Sequence, residues 1–108
     1  MNFISLQDIP TEINIRGIQS KIIVHHKNAT IKNLILKANE SIPTHQVPVD
    51  VTFFVLEGTG TITIDKDTFS VKKDDTVLCP PNTPMAVVAE ELGLSFLNIK
   101  TPGIIVTK

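Results

Sequence analysis

ANESIPTHQVPVDVTFFVLEGTG, residues 38–60, decides how the rest of the chain is read. Val51 to Leu56 is the most apolar run in the sequence, built from the branched and aromatic side chains that suit a pleated strand. Alternate side chains of a strand face opposite ways, so one parity holds Val51, Phe53 and Val55 and the other Thr52, Phe54 and Leu56. Gly58-Thr59-Gly60 reads as the turn that ends this strand. Upstream, Asn39 is one of the few residue types that accept the left-handed backbone a tight turn needs.

Downstream, Thr61 to Asp65 alternates isoleucine with threonine, and Asp65-Lys66-Asp67 connects it tightly to Thr68–Val71, which predicts a hairpin. Lys72-Lys73-Asp74-Asp75 reads as a solvated corner, Thr76–Cys79 as a buried strand and Pro80-Pro81-Asn82-Thr83-Pro84 as a rigid loop. Met85–Ala89 and Leu94–Ile99 are two further strands, separated by a turn at Glu90-Glu91-Leu92-Gly93. Thr101-Pro102-Gly103 breaks the chain before a short tail, Ile104–Thr107. Upstream of residue 38, Met1–Ile9 reads as an arm stopped by Pro10, and Ile13–Ile18 and Lys21–His26 as short strands. His25-His26 leads into a turn at Lys27-Asn28-Ala29, and Ile31–Lys37 follows as a strand apolar on both faces. Helical periodicity is lacking, so the pattern predicts an all-β sandwich or barrel.

Composition narrows the function classes. A chain of 108 residues, 42% hydrophobic and 19% charged, suits one globular domain spanning 1–108 with an arm over 1–12. A net charge of −1 with scattered lysines supplies no field for nucleic acid or an anionic membrane, so neither is expected as a partner. Cys79 is the only cysteine, which rules out an intrachain disulfide and a cysteine-based zinc site. The N-terminus lacks a basic start followed by an apolar run, and no segment approaches spanning length, so a soluble cytoplasmic protein is expected. Trp and Tyr are absent, and with them the stacking platforms of single-strand binders and many sugar sites.

Two stretches together resemble the paired signatures of the cupin superfamily. The first signature, over 38–60, runs glycine, five residues, His-x-His, three residues, glutamate, six residues, glycine; its frame falls here on Asn39, His45, Val47, Val51 and Gly58. The second, over 74–89, runs glycine, five residues, proline, one residue, glycine, two residues, histidine, three residues, asparagine; it falls on Asp74, Pro80, Asn82, Met85 and Ala89. Asn39, Asp74 and Asn82 stand at glycine positions as residue types that tolerate unusual backbone angles. The chain thus resembles a small single-domain cupin, which implies a double-stranded β-helix, or jelly-roll, barrel.

The resemblance also implies a metal held by two histidines and a carboxylate from the first signature and one histidine from the second. Those positions read His45, Val47, Val51 and Met85. One imidazole and a soft thioether do not hold a divalent ion, whose affinity needs three or four convergent ligands, so the site is expected to be degenerate, without metal or other cofactor. Three alternatives are open. Asp50 lies beside the glutamate position, but recruiting it needs a bulge at Pro48. Either His25 or His26 could point inward from a neighbouring strand. His45 could act in metal-free acid–base isomerisation or epimerisation if a carboxylate tuned it. The bland readings are a surface histidine pair, an inert buried Cys79 and Met85 as core filler.

These residues predict a barrel lined by Val47, Val51, Phe53, Val55, Met85 and Val87, with His45 as its one polar group. Such a lining suits a small, mostly apolar ligand bound without catalysis at His45, Val47, Val51, Phe53, Met85 and Val87, in a cavity on the order of 300 Å³ or more. No catalytic residue is assigned. An enzyme is the alternative, and a structural dimer with a packed barrel the third. A homodimer is expected because outward Phe54 and Leu56 need cover from the arm, the facing sheet or a second copy.

Overall fold

The computed structural model describes residues 3–103, so Met1, Asn2 and the tail predicted at Ile104–Thr107 lie outside the described residues. After a single 3-10 turn at Leu6–Asp8 come eight strands: β1 Glu12–Ile13, β2 Gln19–His26, β3 Ala29–Leu36, β4 Ser41–His45, β5 Asp50–Ile64, β6 Asp67–Lys72, β7 Thr76–Cys79 and β8 Met85–Thr101. All pairings are antiparallel. The chain is an all-β jelly-roll barrel, as predicted.

Two strands organise it. β5 has 15 residues and β8 has 17, and they pair with each other twice. Residues 50–58 of β5 pair with 94–101 of β8, and residues 60–64 of β5 pair with 85–89 of β8. In the first half of the barrel, β2 joins β3, β3 joins β8, and β7 joins β5. In the second half, β4 joins β8 and β6 joins β5. The predicted turns at Gly58-Thr59-Gly60 and Glu90-Glu91-Leu92-Gly93 are therefore corrected: both strands run through and bend. Register shifts mark the bend in β5, and Gly58 and Gly93 take φ of +86° and +76°. Bulges and left-handed glycines turn a strand sharply without ending its ladder, and sequence punctuation alone does not separate that from a loop.

Ile13–Ile18 is also corrected, being a turn rather than a strand beyond β1. The Asn14 side-chain oxygen accepts from the Arg16 and Ile18 amides at 2.9 and 3.0 Å, which closes the chain at Gly17 (φ +79°). Short amide side chains compete for backbone donors in this way and favour turns over strands. Thr76–Cys79 is a strand buried on one face only, with Val77 and Cys79 inside and Leu78 outside. β4, which the sequence reading did not assign, forms despite Pro43 because it pairs on one side only, with β8. Asn39, Asp74 and Asn82 adopt φ of 63°, 74° and 58°, the left-handed geometry expected of residues standing at glycine positions.

Register separates inside from outside. Val51, Phe53 and Val55 of β5 lie opposite Lys100, Asn98 and Phe96 of β8, and Thr30 and Leu34 of β3 lie opposite Lys100 and Phe96. Val51, Phe53, Val55, Ile62, Met85, Val87, Leu94 and Phe96 are all at most 2% exposed and form the core. Thr52, Phe54 and Leu56, of the opposite parity, are half-buried. Leu56 shares a surface pocket with Ser5, Leu6 and Gln7, and Lys21 Nζ donates to the Leu6 carbonyl at 3.1 Å, so the arm supplies part of its cover.

Candidate functional site

Apolar side chains close the middle of the barrel. Phe53 and Phe96, on the paired strands β5 and β8 of the first half, meet with ring centroids 5.5 Å apart and planes tilted by 55°, a favourable aromatic arrangement. What stays open is one end. There a cavity of about 240 Å³ is lined by Leu34, Ile42, Val47, Phe53 and Val87, with His45, Asn98, Lys32, Lys100 and the turn residues Asn14, Ile15 and Arg16 completing the wall. It is smaller than the volume expected from sequence because Phe53 and Phe96 occupy the interior. A second cavity of about 530 Å³ adjoins it and shares Lys32, Val47 and Lys100 as a common wall, with Ile22, His25, Thr30 and Pro48 beyond.

Of the six predicted ligand-binding residues, the fold brings four together at the mouth. His45 ends β4, Val47 follows it in the connecting loop, Phe53 projects inward from β5, and Val87 projects from β8. The loop is anchored by the Asn82 amide, which donates to the Val47 carbonyl at 2.7 Å. Val51 and Met85, each 1% exposed, are core residues outside the cavity lining. His45 Nδ1 lies 3.0 Å from the Pro43 carbonyl oxygen. A carbonyl only accepts, so Nδ1 carries the proton in this bond and Nε2 is left free to meet a ligand.

The mouth is more polar than the sequence reading supposes, and His45 is not its one polar group. Lys100 Nζ donates to Asn98 Oδ1 at 2.9 Å. Burial pushes the Lys100 ammonium down to about 8, and the nearby charges of Lys32 and Arg16 push the same way. No aspartate or glutamate lines either cavity among the described residues. Asp50 has the outward parity of β5, next to Val51 opposite Lys100. The signal for these polar residues was present but faint. Along β8 the inward parity runs Leu94, Phe96, Asn98, Lys100, and along β3 it runs Leu36, Leu34, Lys32, Thr30, so both strands grade from apolar to polar toward the mouth. The apolar outer parity, Leu97 and Ile99, masks that gradient in the sequence.

The residues at the metal positions of the resemblance do not fit a metal ion. Val51 and Met85 are core, and Val47 offers no lone pair. Among the described residues no group of three or more His, Cys, Asp or Glu side chains is placed to hold one. His25 lines the second cavity, whereas His26 accepts from the Asn28 amide at its own turn. Cys79 is 2% exposed and its thiol lies near the Pro80 and Thr83 carbonyls. Burial raises its pKa and the Asp50 carboxylate raises it further, the opposite of what a nucleophile needs.

The comparisons agree with this architecture. The chain is 50% identical over 32 residues to the uncharacterized protein MJ1618 of Methanocaldococcus jannaschii, a match covering 30% of this chain and 26% of that relative. It superposes on the KdgF structure from Halomonas sp. with a TM-score of 0.88, at 18% identity and with 96% of each chain covered. An RmlC-like cupin from Shewanella frigidimarina superposes with a TM-score of 0.87, at 14% identity, covering 95% of this chain and 92% of that one. At these identities the likeness is one of fold. No helix among the described residues is long and apolar enough to cross a membrane. Residues 33–99, which include both signature stretches and more than half of the sequence, match the Cupin domain family, and the chain belongs to that family.

Proposed function

We propose that this cupin barrel binds a small molecule at its mouth and does not transform it. The observation that carries the reading is the cavity of about 240 Å³ floored by Phe53 and Val87 with His45 on its wall. An apolar floor with a few convergent polar groups is the general anatomy of a small-molecule site. The absence of catalysis is supported by His45, whose Nδ1 is engaged by a backbone carbonyl rather than by a tuning carboxylate. A metal-free enzyme is the second reading, favoured by Lys100, whose ammonium at about 8 lies within reach of acid–base work near neutral pH. A cytoplasmic location is part of the proposal, resting on the lone buried Cys79.

The test uses phenol and cyclohexanol as neutral probes, each with one hydroxyl for His45 and a body for the floor. Chemical shifts of Phe53 and Val87 should move on titration. His45→Ala should weaken both probes by about fivefold, as one lost hydrogen bond implies, and change stability by less than about 1 kcal/mol. Unchanged affinity would remove His45 from the site, and a stability loss of about 3 kcal/mol would favour a packed core instead.

A homodimer belongs to the same proposal. The outer parity of the first half of the barrel gathers Ile31, Ile99, Leu97 and Phe54 across β3, β8 and β5, with Leu78 of β7 at its edge, 68% exposed. A second copy would bury that face. Sedimentation should give twice the 11.9 kDa chain mass, and Leu78→Glu should yield a folded monomer. A wild-type protein sedimenting as a monomer at micromolar concentration removes the dimer from the proposal.

A further inference from the structure

We infer that the molecule held at the mouth is a small organic anion, its apolar body resting on Phe53 and Val87 and its charged head meeting Lys100 and Lys32, with Arg16 at the rim. The inference rests on the small-molecule reading of the same cavity. Four observations carry it.

The first is the concentration of charge. The whole chain carries 10 Lys and Arg against 11 Asp and Glu, yet Lys32, Lys100 and Arg16 line one cavity in which no described carboxylate answers them. Like charges held together at a half-buried site oppose folding unless something of opposite sign arrives. The second is convergence from separate elements. Lys32 comes from β3, Lys100 from β8 and Arg16 from the turn between β1 and β2, while His45 of β4 and His25 of β2 face the same paired cavities. The third is placement. Asn98 fixes the Lys100 ammonium at 2.9 Å, so the cation is oriented rather than free to swing into solvent. Thr30, directly opposite Lys100 on β3 and only 6% exposed, has a hydroxyl without a hydrogen-bond partner among the described residues. The fourth is the lowered affinity of Lys100 for its proton, which an arriving anion would reverse.

Calorimetric titration of the full chain at low salt and neutral pH, followed by chemical shifts at Phe53 and Val87, tests this with hexanoate, its neutral counterpart hexanamide, and inorganic phosphate. Hexanoate should bind at least about tenfold tighter than hexanamide and weaken as salt is raised. Lys100→Met should weaken hexanoate about tenfold or more, Lys32→Met severalfold, and Lys66→Met, in the distant β5–β6 turn, not at all. Lys100→Met also separates lost binding from misfolding. Lys100 is charged at neutral pH in both folded and unfolded chains, and the folded state bears the cost. The variant should therefore melt higher at pH 7, by about 4 °C. That gain should fade as pH rises from about 8 through 10.5, above which the wild-type lysine is neutral in both states.

Equal binding of hexanoate and hexanamide overturns the anion assignment while leaving small-molecule binding intact. Phosphate binding as tightly as hexanoate overturns the role given to the apolar floor. Failure of hexanoate, hexanamide, phenol and cyclohexanol alike to shift Phe53 or Val87 overturns the binding reading itself.

Discussion

Gly58→Ala should cost about 3 kcal/mol or more and leave little soluble protein. Two effects add at this position. Its φ of +86° lies in the region L side chains avoid, worth about 1 kcal/mol by itself. A methyl group there would also press into the Gly93 carbonyl, meeting its carbon at 2.8 Å and Leu94 Cα at 3.0 Å. Both obstacles are backbone, so neither can rotate aside, and overpacking of that kind costs about 1–3 kcal/mol more. Gly17 supplies the control. It has nearly the same φ, +79°, but a methyl group there meets nothing within 4 Å. Gly17→Ala should therefore lose only about 1 kcal/mol in urea unfolding. Equal losses from the two variants would show that the approach of β5 to β8 at Gly58 does not constrain the barrel.

Phe96→Ala is the other large effect, a loss of about 3–5 kcal/mol. The ring is fully buried, lies between Val55 of β5 and Leu34 of β3 in register, and supports Phe53 from below. Truncation removes its apolar burial and leaves a void that the two-sided barrel wall cannot collapse into. Leu92, 75% exposed, is the comparison: Leu92→Ala should change stability by less than about 0.5 kcal/mol. Denaturant unfolding reads both. A Phe96→Ala loss below about 1 kcal/mol would mean that the interior is loosely filled and the Phe53 floor is not fixed by packing.

The parts of this molecule written in local chemistry were legible before its coordinates. The parity of Val51, Phe53 and Val55 follows from the period of a strand, and the left-handed turns at Asn39, Asp74 and Asn82 are marked by the glycine positions of the cupin resemblance, occupied here by side chains that tolerate that backbone. The continuity of β5 and β8 was not legible, because a glycine that bends a paired strand and a glycine that ends one look alike until the partner strand is known. The site was half legible for a related reason. His45, Val47, Phe53 and Val87 lie in or near the signature stretches. Lys32, Asn98, Lys100 and Arg16 lie outside them, on strands whose two apolar faces hide which parity looks inward, and at an asparagine turn that resembles a strand. Pairing of β3 with β8, a long-range property, is what brings Lys32 and Lys100 to one wall.

Because β5 and β8 are each stitched into both halves of the barrel, neither half can come apart without disturbing the ladders of the other. Opening the mouth by peeling β3 from β8 loosens a ladder whose far end secures the opposite half. The molecule is thus built to melt as one cooperative unit, and a guest seated against Lys100 would brace the entire roll rather than a single rim.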